Sequence, residues 1–104
     1  DSVAAMAPIS VKLIREAHTV PEAHADEDSE VQALLALQVL RLDGKQVTEI
    51  DNLESFDQVQ ELYLQYNAIE QIQNLDFLAR LRLLSLGNNA VRVVENLRHL
   101  KLLE

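Results

Sequence analysis

The sequence predicts an α/β chain in which copies of one short unit stack side by side, each giving a parallel strand to one wall, behind an N-terminal helical cap. Three observations predict it. Apolar residues recur every 22 positions from residue 37 onward, a two-residue apolar step inside each unit marks a strand, and residues 1–36 stand outside the period with a composition of their own.

Aligning residues 37–58, 59–80 and 81–102 without a gap gives seven columns that are apolar in every copy. They are Leu37, Val59, Leu81; Leu40, Leu62, Leu84; Leu42, Leu64, Leu86; Val47, Ile69, Val91; Ile50, Ile72, Val94; Leu53, Leu75, Leu97; and Phe56, Leu78, Leu100. If about half of all positions are apolar, so many matches in one register arise by chance on the order of once in a million. Leu103 restarts the pattern in the column of Leu37.

The spacing L-x-x-L-x-L within each unit dictates its geometry. A strand buried on one face alternates with period two, so the L-x-L step is a strand and the remainder returns to the next one. Val39 to Asp43, Glu61 to Gln65 and Leu83 to Gly87 are then adjacent short parallel strands. One unit has too little apolar surface to fold alone, and each depends on its neighbours.

Two asparagine columns punctuate the units. Asn67 and Asn89 follow the strand, where a side-chain amide satisfies backbone groups that the bend leaves unpaired. The first unit has Lys45 there, an ammonium with no acceptor, which is expected to reach solvent and marks residues 37–58 as an atypical end unit. Asn52, Asn74 and Asn96 precede the Leu of each return and read as scaffold, making local turn hydrogen bonds on the outer side.

Residues 1–36 carry seven acids against two bases, which is −5 of the total net charge of −8. Ser10 is placed to cap a helix over residues 11–18 with Leu13, Ile14 and Ala17 on its apolar stripe, and Pro21 ends it. The acidic stretch Glu22 to Glu30 reads as a solvated linker. A second helix follows, with Asp28 or Ser29 as its cap and Val31, Leu34 and Leu35 facing inward, shielding the first strand from solvent.

Composition narrows the function. The hydrophobic fraction is 48% and the aromatic fraction 4%, so the core is aliphatic. A net charge of −8 repels phosphate backbones and anionic headgroups, which argues against nucleic acid and membrane as partners. No apolar run approaches the roughly 20 residues of a membrane span. There is no cysteine, which removes disulfides, thiolate metal sites and cysteine nucleophiles and points to a reducing compartment. The chain starts at Asp1 and stops just after Leu103 opens a new unit, so it reads as part of something longer. Leu97, Leu100 and Leu103 are expected to be unsealed at that end.

The residues offer no route to catalysis. Asp26, Glu27 and Asp28 lack the glycine and alternating spacing of an oxygen-ligand cation loop. His18, His24 and His99 have neither metal-site spacing nor a thiol beside them and read as surface groups. Ser10, Ser29 and Ser55 fall at caps or turns, not beside a His and an Asp, and two glycines do not make a phosphate cradle. No cofactor, no metal and no small-molecule substrate is expected.

The segments LRLDGKQVTEIDNLESF, ELYLQYNAIEQIQNLDFL and LLSLGNNAVRVVENLRHL resemble the 22-residue class of intracellular leucine-rich repeats typified by a regulatory subunit of protein phosphatase 1. The resemblance covers residues 37–104 and implies a curved, right-handed leucine-rich-repeat solenoid, strands on the concave face and short helical segments outside. The leader ISVKLIREAH is similar to the opening found ahead of such repeats in ciliary, axonemal leucine-rich-repeat proteins, with Ser10 in place of the usual Thr. It implies a cytoplasmic, cytoskeletal scaffold of the cilium or flagellum whose partners are subunits of axonemal or microtubule-associated complexes. The alternatives are a subunit targeting a phosphatase and an adaptor in dynein-arm assembly.

The strand positions between the buried leucines face the concave side in three columns: Val39, Glu61, Leu83; Arg41, Tyr63, Ser85; and Asp43, Gln65, Gly87. This mixture of aromatic, charged and small groups suits a protein partner better than a small-molecule pocket. Tyr63 is the expected anchor, as a large amphipathic ring at the centre of the face, with Arg41 and Tyr66 next.

Overall fold

Strand β1 (Val39–Arg41), β2 (Glu61–Tyr63) and β3 (Leu83–Ser85) form a three-stranded parallel sheet in sequence order in a computed structural model that describes residues 6–18 and 27–104. The register is the sequence period: Val39 pairs Glu61 and Leu83, Leu40 pairs Leu62 and Leu84, Arg41 pairs Tyr63 and Ser85. Each strand is only three residues long because the backbone must turn away at once to bring the chain back. Hydrogen bonds 22 residues apart extend the stacking upstream of the strands, Gln60 N–H to Gln38 C=O and Arg82 N–H to Gln60 C=O. Bonds between positions 21 apart extend it downstream, Gly44 N–H to Gln65 C=O and Tyr66 N–H to Gly87 C=O.

The alternation of the strands decides what is inside. Leu40, Leu42, Leu62 and Leu64 are fully buried, and the return segments supply Val47, Ile50, Leu53 and Phe56 with their counterparts Ile69, Ile72, Leu75 and Leu78 behind them. Each buried Leu or Ile contributes roughly 1.5–3 kcal/mol over an exposed one. No polar side chain is buried among the described residues.

The outer returns are turns, not the short helices that the resemblance implies. Phe56 N–H bonds Leu53 C=O and Val59 N–H bonds Phe56 C=O, and the same pair of turns recurs at Leu78 and Leu81 and at Leu100 and Leu103. Two three-residue steps bring the chain round before a helical ladder can propagate.

The leader is more deeply built into the sheet's far wall than its sequence indicates. Ala7 forms a parallel bridge with Val47, Thr48 N–H bonds Ala7 C=O, and Ile9 N–H bonds Glu49 C=O. Ile9 is fully buried. Helix α1 (Val11–Ala17) follows, Ser10 in extended conformation accepting from the N–H of Leu13 on its Oγ, with Ile14 buried and Leu13 and Ala17 half-buried.

Helix α2 (Glu27–Leu35) begins before Asp28 and Ser29, so neither caps it, and residues 27–30 are helix rather than the end of a linker. Of its three expected inward residues only Leu34 is buried; Val31 and Leu35 are exposed. Pro21, His24 and the rest of the expected linker lie outside the described residues. Ile9, Ile14 and Leu34 join Leu40 and Leu42 in one continuous apolar cluster.

Candidate functional site: the open face of the sheet

One face of the sheet is occupied by the leucines, and the other carries the candidate residues. The register sets Val39, Glu61 and Leu83 in one row and Arg41, Tyr63 and Ser85 in the next. Val39 and Leu83 are about 40% exposed, apolar groups held at the surface by their strands.

The centre of the face is a connected polar cluster. The Arg41 guanidinium lies over the Tyr63 ring, 4.3 Å from its centroid. The same guanidinium donates to both carboxylate oxygens of Asp43, from Nε at 3.1 Å and Nη2 at 3.3 Å. The Tyr63 hydroxyl donates to Glu61 Oε1 at 2.7 Å. Strand alternation puts these groups on one side, where residues i and i+2 are neighbours.

The electrostatics follow from the bonds. The hydrogen bond from Arg41 holds the Asp43 carboxyl below its ordinary value and Asp43 in turn raises Arg41. Glu61, accepting from the phenol and bringing a negative charge beside it, pushes Tyr63 up, so its hydroxyl remains a donor. Both effects fix the orientation of side chains that would otherwise wander, which lowers the ordering cost of a contact made here.

Gln65 and Tyr66 are placed differently. Gln65 Oε1 is buried and has no hydrogen-bond partner. Tyr66 is 66% exposed and its backbone is left-handed, with φ of 61°. Gly44 and Asn88 occupy the equivalent positions of the flanking units with φ of 64° and 59°. Those two types adopt this conformation easily, whereas a tyrosine there is strained.

Beside the cluster is a cleft of about 300 Å³ lined by Gln60, Glu61, Arg82, Leu83 and Glu104. Arg82 donates from Nη2 to Glu104 Oε2 at 2.8 Å, which raises the guanidinium, with a smaller effect from Glu61. Sequence reasoning missed Arg82, although it occupies the position just before a strand that Gln38 and Gln60 hold in the other units.

Elsewhere, two expectations change. Asn52, Asn74 and Asn96 do not bond locally: their Nδ2 groups donate to Ile9, Ile50 and Ile72 C=O, each reaching the preceding layer of chain from a left-handed residue. His18 is not a free surface group, since Nε2 accepts from Arg41 N–H. At the far end Leu100 is buried and Leu97 and Leu103 are half-buried, while Val94 is 81% exposed in the column where Ile50 and Ile72 are covered.

Among the described residues no group of His, Asp and Glu is arranged to hold a metal ion, and no helix is long and apolar enough to cross a membrane. No protein-family model matches the chain, and no curated protein matches it.

Proposed function

We propose that the chain is part of a leucine-rich-repeat solenoid that acts as a non-catalytic protein–protein interaction scaffold, using the open face of its parallel sheet. The observation that carries this reading is the Arg41–Tyr63–Glu61 cluster. It is an aromatic anchor oriented by a cation on its ring and a carboxylate on its hydroxyl, flanked by the exposed apolar Val39 and Leu83. Interface cores favour oriented Tyr and Arg surrounded by apolar contact. The solenoid part rests on the 22-residue offset between paired strands and on the repeated burial pattern. The setting, an axonemal complex of a cilium or flagellum with other axonemal or microtubule-associated proteins as partners, rests on the resemblance of the leader and repeats.

The test is expression of the tagged protein in ciliated cells. Retention along detergent-extracted axonemes, and capture of the retained partner weakened by at least about 1 kcal/mol in Tyr63→Ala, is the expected result. Diffuse or nuclear protein bound to a phosphatase supports the regulatory-subunit alternative instead. Partner affinity unchanged by Tyr63→Ala removes Tyr63 from the binding residues.

A further inference from the structure

The ion pairs on the open face leave one carboxylate outside them. Arg41 is spent on Asp43, at 3.1 Å, and Arg82 on Glu104, at 2.8 Å. The carboxylate between them, Glu61, has no ion pair among the described residues and accepts only the Tyr63 hydroxyl. Space lies beside it. Arg41 from β1 covers one face of the Tyr63 ring, and the strand on the opposite side offers only Ser85 in that row. In the next row Gln65 is followed by Gly87, and a Cβ built on Gly87 meets nothing within 4 Å.

We propose that this notch receives a basic side chain, arginine or lysine, from a partner protein segment. The incoming chain runs its aliphatic stem over Ser85 and Gly87 beside Leu83 and places its charge between Glu61 and the face of the Tyr63 ring opposite Arg41. Two groups then gain a partner: Glu61 acquires a cation, and the ring a second cation–π contact like the one Arg41 already makes. The overall charge of −8 favours the approach of such a segment and repels an acidic one.

This inference rests on the open face being the protein-binding surface, and the experiment separates the two. The full chain, labelled with ¹⁵N, is titrated with three 12-residue peptides that are identical except for three positions occupied by Arg, Gln or Glu. The Arg peptide is expected to move the amide signals of Tyr63, Ser85 and Gly87. Its affinity is expected to fall at least about tenfold in Glu61→Gln and in Gly87→Leu, a substitution that fills the notch from a Cβ that itself meets nothing within 4 Å. Diffuse attraction to an acidic protein would be insensitive to the loss of one carboxylate among many. Equal affinity of the Arg peptide for wild type and Glu61→Gln overturns the proposal. Movement of the same signals by the Gln or Glu peptide and not by the Arg peptide overturns it while leaving the open face as a binding surface. If no peptide moves them, both readings fail.

Discussion

The ring nitrogen Nε2 of His18 accepts a hydrogen bond of 2.9 Å from the backbone N–H of Arg41. Leu42 N–H points toward β2, bonding Tyr63 C=O, so Arg41 N–H lies on the free edge of β1. Nδ1 of the same ring donates to Ile14 C=O at 3.2 Å, which requires the neutral tautomer with its acceptor on Nε2. The imidazole thus closes the last turn of α1 onto the exposed edge of the sheet, a place where an unpaired strand invites foreign pairing.

His18→Ala is therefore expected to lower the unfolding free energy by about 1 kcal/mol. Amide hydrogen exchange locates the effect: the Arg41 N–H should lose protection while the N–H of Leu64, inside the sheet and bonded to Ser85 C=O, retains it. An Arg41 amide equally protected in the variant would mean that the edge is sealed by something other than His18.

Asn67 ties two units together with both ends of its amide. Oδ1 accepts from Lys45 N–H and Val47 N–H at 2.9 and 3.0 Å, while Nδ2 donates to Leu42 C=O and Leu64 C=O at 2.9 and 2.8 Å. Removing it strands several backbone groups, and each costs roughly 1–3 kcal/mol when left without a partner away from water. Asn67→Ala should cost about 3 kcal/mol in urea denaturation, whereas Lys45→Asn, with no strand before β1 among the described residues to tie, should change stability by less than about 0.5 kcal/mol. A large gain from Lys45→Asn would show that an earlier layer offers the same backbone partners.

Asp43 provides a pH test of the Arg41 contact. Its carboxyl lies below the ordinary 3.8, first because Arg41 donates to it. A carboxyl whose pKa is depressed by folding stabilises the folded chain above the unfolded value, about 3.9, and loses that contribution as pH falls through the folded midpoint. Titration of the Asp43 carboxyl carbon by NMR should give a midpoint below 3.8 in wild type and a higher one in Arg41→Gln. Coincident midpoints would mean that the guanidinium does not hold the carboxylate in solution.

The parts of the fold that repeat were legible in the sequence, as was α1 with its Ser10 cap, whereas the contact of residues 7–9 with the segment 46–49 and the start of α2 were not. Leu40 and Leu62 declare themselves because they are fully buried at the same position of their units, with Leu84 half-buried at that position in the third. Ile9 gives no such signal: it is covered by a segment some 40 positions away that shares no period with it, as the bridge between Ala7 and Val47 illustrates. Periodicity also names which residues are apolar without saying what covers them. Val94 continues the column of Ile50 and Ile72 yet is 81% exposed. In the open face, strand alternation predicts that Arg41, Tyr63 and Glu61 share a side, while the choice of Asp43 by Arg41 and Glu61 by Tyr63 depends on rotamers that spacing does not encode.

Tyr66 offers the sharpest separation of stability from recognition. Its φ of 61° lies in a region that costs a residue with a Cβ roughly 1–2 kcal/mol, and Asn less because its side chain bonds locally. The neighbouring units use Gly44 and Asn88 at this position, and a ring that is 66% exposed recovers little by packing. The backbone cannot relax out of the strain, since Tyr66 N–H is held by Gly87 C=O at 2.9 Å. Tyr66→Asn should therefore raise the unfolding free energy by about 1 kcal/mol. If the ring is kept for contact on the proposed interaction face, the same variant binds its partner several-fold more weakly, so the two quantities move in opposite directions. A variant that is more stable and binds equally well removes Tyr66 from the interface, and one that is less stable shows that the ring packs against the chain itself.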